Sequence, residues 1–452
     1  MRPRRPARRG RAVSWAPAPA RTRPHPPAHP PSPAQEPRPV STPMQRRRAL
    51  TALFFLPGLA IASWVTRTPA IRDELGASTA EMGLVLFGLS AGSMLGILSS
   101  GALVRRMGAR PVILLGVVAV VASMPTTGLG AEVGSAPLVT AGLFLFGAGM
   151  GGGEVAMNVE GAAVEEQSGR PFLHALHGWF SLGTVVGAVA GIAFTARAVP
   201  VLPHLLAVGA IGAVLVALGV PRLPHGTGRV RGAAAVPAAE TQEAPSPAPG
   251  RPRPDRTLVL VGVVVLAMAL AEGTANDWLP LVMVDGHDLD PALGSGVYAL
   301  FAAAMTVGRL AGGPVIVRLG HARVLAASAA LGVVGIVAVS VVDHQVVAAL
   351  AVVLWGLGTS LGFPVAISAA GGSGPDPTRR VALVATAGYV AFLVGPPALG
   401  FLGDHEGLRA ALLVPAGVLG VAVLAALWLP SARPGRPGAD PGAELRGSST
   451  RP

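Results

Sequence analysis

From Ala49 to about residue 430 the chain is a succession of apolar runs, roughly 20 residues each, separated by short turns that carry most of its charge. A helix of that length, rising about 1.5 Å per residue, covers the roughly 30 Å of hydrocarbon in a bilayer. The pattern predicts twelve spanning helices, at 49–71, 81–104, 111–130, 136–160, 172–195, 202–220, 257–284, 292–316, 323–342, 346–370, 381–402 and 407–430. Between the sixth and seventh, Arg222 to Arg256 is rich in Pro, Ala and Arg, which reads as a flexible linker. The expected fold class is therefore an all-α membrane protein. Its organisation is an N-terminal extension (1–44), a six-helix half (45–220), a cytoplasmic linker (221–256), a second six-helix half (257–430) and a disordered tail (431–452).

Composition sharpens this picture. Of 452 residues, 51% are hydrophobic and 13% charged, against about 25% charged in soluble domains, so a soluble fold would lack a polar surface. The 60 glycines suit helices packed closely in lipid. With no Cys there is neither a disulfide framework nor a thiolate metal site, and no metal or cofactor is expected. The formal charge of +12 does not point to nucleic acid, because residues 1–44 alone hold nine Arg against one acid, Glu36. That stretch also has 13 Pro and no apolar periodicity, so it is expected to be disordered, unless Met44 is the true start.

Charge also orients the bundle. Every basic side chain is Arg, and with the N-terminus inside, 30 of the 35 fall on cytoplasmic segments. The exceptions are Arg67, Arg72, Arg197, Arg309 and Arg409, while Asp73, Glu74, Glu132, Asp285, Asp288, Asp290, Asp343, Asp404 and Glu406 gather on the opposite side. Both termini are expected in the cytoplasm.

Two loops repeat. Gly101-Ala-Leu-Val-Arg105-Arg106-Met107-Gly108-Ala109-Arg110 follows the second helix, and Gly313-Pro-Val-Ile-Val317-Arg318-Leu319-Gly320 follows the eighth, at a constant offset of 212 residues. A duplicated six-helix unit in parallel orientation predicts this. The chain resembles the major facilitator superfamily, whose signature here is Gly, three residues, Asp-Arg, any residue, Gly and then basic positions. Gly101, Arg106, Gly108 and Arg110 match, as do Gly313, Arg318 and Gly320; the Asp is replaced by Arg105 and Val317. The charge relay that the family runs through that Asp therefore lacks its acid. Trp64 to Pro69, Met157-Asn158 through Glu165, His177 to Gly183, Glu272 to Trp278 and Gly395-Pro396-Pro397 look like a poorly characterised bacterial subfamily near the fucose-permease-like members.

The resemblance implies a monomeric secondary transporter in the bacterial cytoplasmic membrane, with helices 1, 4, 7 and 10 lining a central cavity. Ionisable groups inside a bilayer are costly and mark pathways. Arg67 and Asp277 fall in the outer half, Glu272 near the midplane, and Glu154, Asn158 and His177 in the inner half. Arg67, Glu154, Asn158, Glu272, Asn276 and Asp277 are the expected substrate and coupling site, with Glu154 and Asn158, and Glu272 and Asn276, sharing a helix face at i, i+4. Glu272 or Glu154 would carry the proton, Arg67 would pair with Asp277 as an outer gate, and His177 would relay protons at the inner mouth. The plainer reading is that these groups satisfy one another at helix contacts. Trp64 and Trp278 are candidates to stack on a sugar face or to anchor the aromatic belt; Arg309 is expected to hold the inner end of helix 8 by pairing with a carboxylate or helix carbonyls. Glycine stripes (Gly88, Gly92, Gly96; Gly183, Gly187, Gly191) are expected where the halves rock past each other.

The substrate is expected to be a small molecule moved with protons, import by symport being favoured over export: helix 5 lacks the Gly-Pro signature of proton-antiporting drug exporters, although Gly395-Pro396-Pro397 in helix 11 is a similar break in the other half. An exporter by antiport and a transport-inactive receptor or scaffold are the alternatives. An enzyme is disfavoured for want of a nucleophile paired with a base. Without Lys there is no phosphate loop for nucleotide-driven transport.

Overall fold

In the computed structural model, which describes residues 41–169, 172–229, 255–371 and 377–429, twelve helices among the described residues are long and apolar enough to cross a membrane. The first half comprises α1 (Pro43–Val65), α2 (Thr79–Met107), α3 (Ala109–Glu132), α4 (Ala136–Ser168), α5 (Leu173–Ala196) and α6 (Val201–Gly219). The second comprises α7 (Arg256–Asp285), α8 (Pro291–Leu319), α9 (His321–Val341), α10 (Gln345–Gly371), α11 (Pro377–Glu406) and α12 (Leu408–Leu427). Large aliphatic side chains such as Leu98, Leu218, Leu310 and Leu424 lie exposed on the outside of the bundle, as a lipid-facing surface requires. The expectations for 1–40, for 230–254 and for the tail from 431 fall outside the described residues.

The first helix is displaced from its expected span. It begins at Pro43 because Thr42 and Gln45 form a reciprocal capping box and Pro43 occupies the first turn, where no N–H is needed. Residues 43 and 44 are thus helical, not part of the extension. The helix ends at Val65, short of 71, because Pro69 cannot donate back to the preceding turn; the chain restarts as a short helix, Thr68–Leu75.

We call the end of the bundle that carries the start of α1 and the α6–α7 connection the linker end, and the other the far end. At the linker end the duplicated loop has the same backbone in both copies. Gly108 (φ 88°, ψ 167°) and Gly320 (φ 77°, ψ 161°) adopt a conformation open essentially to glycine alone, and each closes the preceding helix with an N–H bond, to Val104 and Ile316. Their separation, 320 − 108 = 212, is the offset of the sequence repeat. The start of the linker is built onto the first copy: the Ala109 N–H donates to the Thr227 carbonyl at 2.8 Å, and Arg110 contacts His225.

The halves meet through α2 against α11 and α5 against α8. At the far end a Cβ on Gly83 would lie 2.8 Å from the Pro396 carbonyl oxygen and 3.1 Å from Gly400 Cα, so the two backbones touch. Three polar bridges also cross there. Arg72 pairs with Asp285, the Ala80 N–H donates to Asp404 at 3.4 Å, and Ser295 Oγ donates to the Thr66 carbonyl at 2.8 Å. Burial works against the Arg72 charge, but the carboxylates of Asp285 and Asp73 outweigh it and hold its pKa above the ordinary arginine value.

The glycine stripes do not lie where the sequence reading put them. Gly88, Gly92 and Gly96 face Thr140, Phe144 and Ala148 of α4, and Gly183, Gly187 and Gly191 face Phe55, Leu59 and Thr66 beside α1. Both stripes weld helices inside one half. Spacing identifies a close-packed face but not its partner, and with no Cβ the α2–α4 and α1–α5 pairs approach to backbone contact.

Candidate functional site

Between the halves lies a cavity of about 370 Å³. At the far end its wall stops at Ile61 of α1, Asp277 of α7 and Tyr298 of α8; toward the linker end it continues to Ile97 of α2, His177 of α5 and Arg309 of α8. The far end is where the cross-half bridges lie, so the cavity leans toward the linker end.

The second half supplies most of the charge. Arg309 Nη2 lies 2.9 Å from Glu272 Oε1, joining α8 to α7. The carboxylate is mostly covered (16% exposed) and the guanidinium 42% exposed, so this pair borders the open volume. Four residues along α7, Asn276 accepts a hydrogen bond from Tyr298 Oη at 3.3 Å. Asp277 is buried on the same wall, with no ion pair among the described residues. The first half contributes Glu154 from α4, which lines the same cavity as Arg309 and as Tyr389 of α11. His177 stands at the linker side of the wall, its ring edge-on to Phe54 with centroids 5.5 Å apart.

The structure thus brings together five of the residues picked from the sequence: Glu154, His177, Glu272, Asn276 and Asp277. Four others lie elsewhere. Arg67 falls beyond the end of α1 and turns toward its own half, donating to Thr195 Oγ1 at 3.0 Å and to the Val199 carbonyl. The expected Arg67–Asp277 gate is therefore not formed; Arg72 and Asp285, one turn or more farther out, make the cross-half pair instead. Burial lowers the Arg67 pKa, with Glu74 opposing it. Asn158, one turn beyond Glu154, is off the cavity wall and leaves its amide oxygen buried without a partner among the described residues. Trp64 and Trp278 are 1% exposed, neither stacked in the cavity nor at a lipid interface; Trp64 packs edge-on to Phe146.

The wall also departs from the expected set of helices. α10 sits behind α7, its Trp355 indole N–H donating to the Ala271 carbonyl at 3.1 Å, and no described residue of α10 lines the cavity. Helices α2, α5, α8 and α11 line it together with α1, α4 and α7. Arg309 makes the carboxylate pairing expected of it, yet on the cavity wall. The sequence reading passed over Tyr298 and Tyr389. They are the only two tyrosines in the chain, and both line the cavity, a signal that composition held.

Comparison with known proteins agrees with this geometry. A model of the Major Facilitator Superfamily matches residues 12–170 and 68–379. An uncharacterised MFS-type transporter of Yersinia pestis is 30% identical over 359 residues, 79% of this chain and 89% of that protein. An uncharacterised transporter of Sinorhizobium fredii is 31% identical over 367 residues, covering 80% and 92%. Among solved structures, the nucleoside transporter NupG superposes with a TM-score of 0.65 at 14% identity, over 85% of this chain and 99% of its own. The Escherichia coli fucose:proton symporter does so with a TM-score of 0.54 at 17% identity, over 85% and 98%.

Proposed function

The chain belongs to the major facilitator superfamily of membrane transporters, and from that premise we propose that it is a proton-coupled secondary transporter of a small polar solute, working by alternating access. The observation that carries the proposal is the convergence of Glu154 from one half with Arg309 and Glu272 from the other on one cavity. A proton on Glu272 would remove the charge that holds Arg309 to α7. The guanidinium would then turn to Glu154 and join the halves through the cavity, the link with which the loaded, protonated protein alternates between its two faces. Loss of the proton would return Arg309 to Glu272.

The wall also selects by charge. Two carboxylates, Glu154 and Glu272, face one guanidinium, so an anion meets repulsion that a neutral or cationic solute does not. Asn276, Tyr298 and Tyr389 can donate to or accept from hydroxyls. The volume is at the lower end of the range for small-molecule sites, about 300–1,000 Å³. Nucleosides and fucose, which two structural neighbours are named for, are hydroxylated solutes of this kind. The Arg distribution supports a cytoplasmic linker end, with both termini inside a bacterial cytoplasmic membrane.

The test is uptake by the purified protein in proteoliposomes, acidic outside, from a panel of labelled sugars, nucleosides, amines and organic acids. Uptake of a neutral or cationic hydroxylated solute, collapsed by a protonophore, is expected. Flux of organic acids alone, or flux indifferent to the pH gradient, contradicts the reading; no flux from any panel favours a receptor or scaffold.

A further inference from the structure

A second cavity, of about 580 Å³, opens on the lipid-facing side of the first half, between the linker ends of α1 and α5. The three consecutive arginines at the start of α1 divide across it, since successive residues on a helix point about 100° apart. Arg46 turns inward to the buried Glu160, at 2.6 Å, and to Gln167. Arg47 lies in the cleft with its guanidinium carbon 4.5 Å from the centre of the Phe172 ring. Arg48 is exposed at its rim, with no ion pair among the described residues.

The cleft has a polar mouth and an apolar throat. Along α1 the lining runs Met44, Arg47, Arg48, Thr51, Ala52, Phe55, one helical face at spacings of three and four. From Arg47 to Phe55 is eight residues, about 12 Å along the axis. Phe172, just before α5, and Trp179 of α5 form the opposite wall, Trp179 being 42% exposed. Glu165 fixes that wall, its carboxylate accepting the N–H groups of Phe172 at 2.7 Å and Leu173 at 3.1 Å. Deeper in the bilayer the cleft closes, because Gly183 and Gly58 bring the α1 and α5 backbones together at Phe55 and Phe180. The helices form a wedge, splayed at the membrane surface and shut in the hydrocarbon.

We infer that this wedge binds an anionic phospholipid, its phosphate between Arg47 and Arg48 and an acyl chain along Ala52, Phe55 and Trp179. Guanidinium groups match phosphate in charge and geometry, and at the membrane surface the anionic group on offer is a headgroup. An apolar throat below two cations suits a tethered chain, where a free phosphate would gain nothing from it. The bound lipid would brace α5, the helix that presents His177 to the central cavity.

The test uses the full chain in nanodiscs of phosphatidylcholine with increasing phosphatidylglycerol of the same acyl chains. Melting is followed by tryptophan fluorescence, and retained lipid by native mass spectrometry. Phosphatidylglycerol is expected to raise the Tm by several degrees and to remain bound. The double variant Arg47→Gln, Arg48→Gln is expected to lose both effects, whereas Arg229→Gln, Arg323→Gln, exposed arginines of the same end, keeps them. Equal stabilisation by the two lipids, a response unchanged in the Arg47/Arg48 variant, loss in the Arg229/Arg323 variant, or the full shift from inorganic phosphate would each overturn the assignment. Because neither readout involves solute flux, failure here leaves the transport reading intact, and the reverse holds.

Discussion

Glu272→Gln is expected to reduce pH-driven uptake to the level of empty liposomes while the protein still inserts and melts as a folded bundle. Gln cannot take up a proton, and as a neutral group it no longer holds Arg309, whose contact with Glu272 at 2.9 Å is the link between α7 and α8 at the cavity wall. Glu154→Gln is expected to stop net uptake by the other route, leaving the freed guanidinium with no charge to reach in the opposite half. The two variants separate in counterflow. Solute exchange without a gradient should survive in Glu272→Gln, where Arg309 can rest on Glu154, and fail in Glu154→Gln. Undiminished gradient-driven uptake in both variants would refute the coupling role of these carboxylates.

Gly92→Leu is expected to be strongly destabilising. A Cβ there would fall on the Phe144 carbonyl oxygen and lie 2.9 Å from its carbon, backbone atoms that cannot swing aside as a side chain can. Overpacking usually costs about 1–3 kcal/mol and more where the backbone must move, so a loss of at least about 3 kcal/mol is expected, seen as poor yield and a much lower Tm. Gly417→Ala is the control. It lies in α12 with nothing within 4 Å of its would-be Cβ, and adding a methyl group to an open helical glycine should stabilise by about 0.5–1 kcal/mol. A Gly92 variant as stable as wild type would mean that α2 and α4 do not touch as described.

The contrast between those two glycines shows where sequence reading stops. Length and hydropathy made the twelve helices legible, and the 212-residue offset of the Gly108 and Gly320 loops carried the duplication, because each depends on residue type and spacing alone. Scarcity made most of the cavity legible too: an ionic group inside a bilayer needs a reason, and Glu154, Glu272 and Asp277 have one. What failed was direction around a helix axis. Asn158 is one turn from Glu154 yet off the wall, and the α2 glycines face α4 within their own half. Arg67 was misplaced by a break in α1 at Val65, which Pro69 foreshadowed but an unbroken apolar run obscured. The role of Arg309 depends on which neighbours close around it, and no linear pattern encodes that.

The central claim is that the two halves must part at the far end for solute to pass. Thr79 and Gly403 meet there across the halves, a Cβ on Gly403 lying 3.1 Å from Thr79 Cγ2, and the chain has no cysteine of its own to confuse the result. In the variant Thr79→Cys, Gly403→Cys, a disulfide formed by mild oxidation is expected to stop uptake in proteoliposomes, and its reduction to restore it. Full uptake with the disulfide quantitatively in place would contradict alternating access through this cavity.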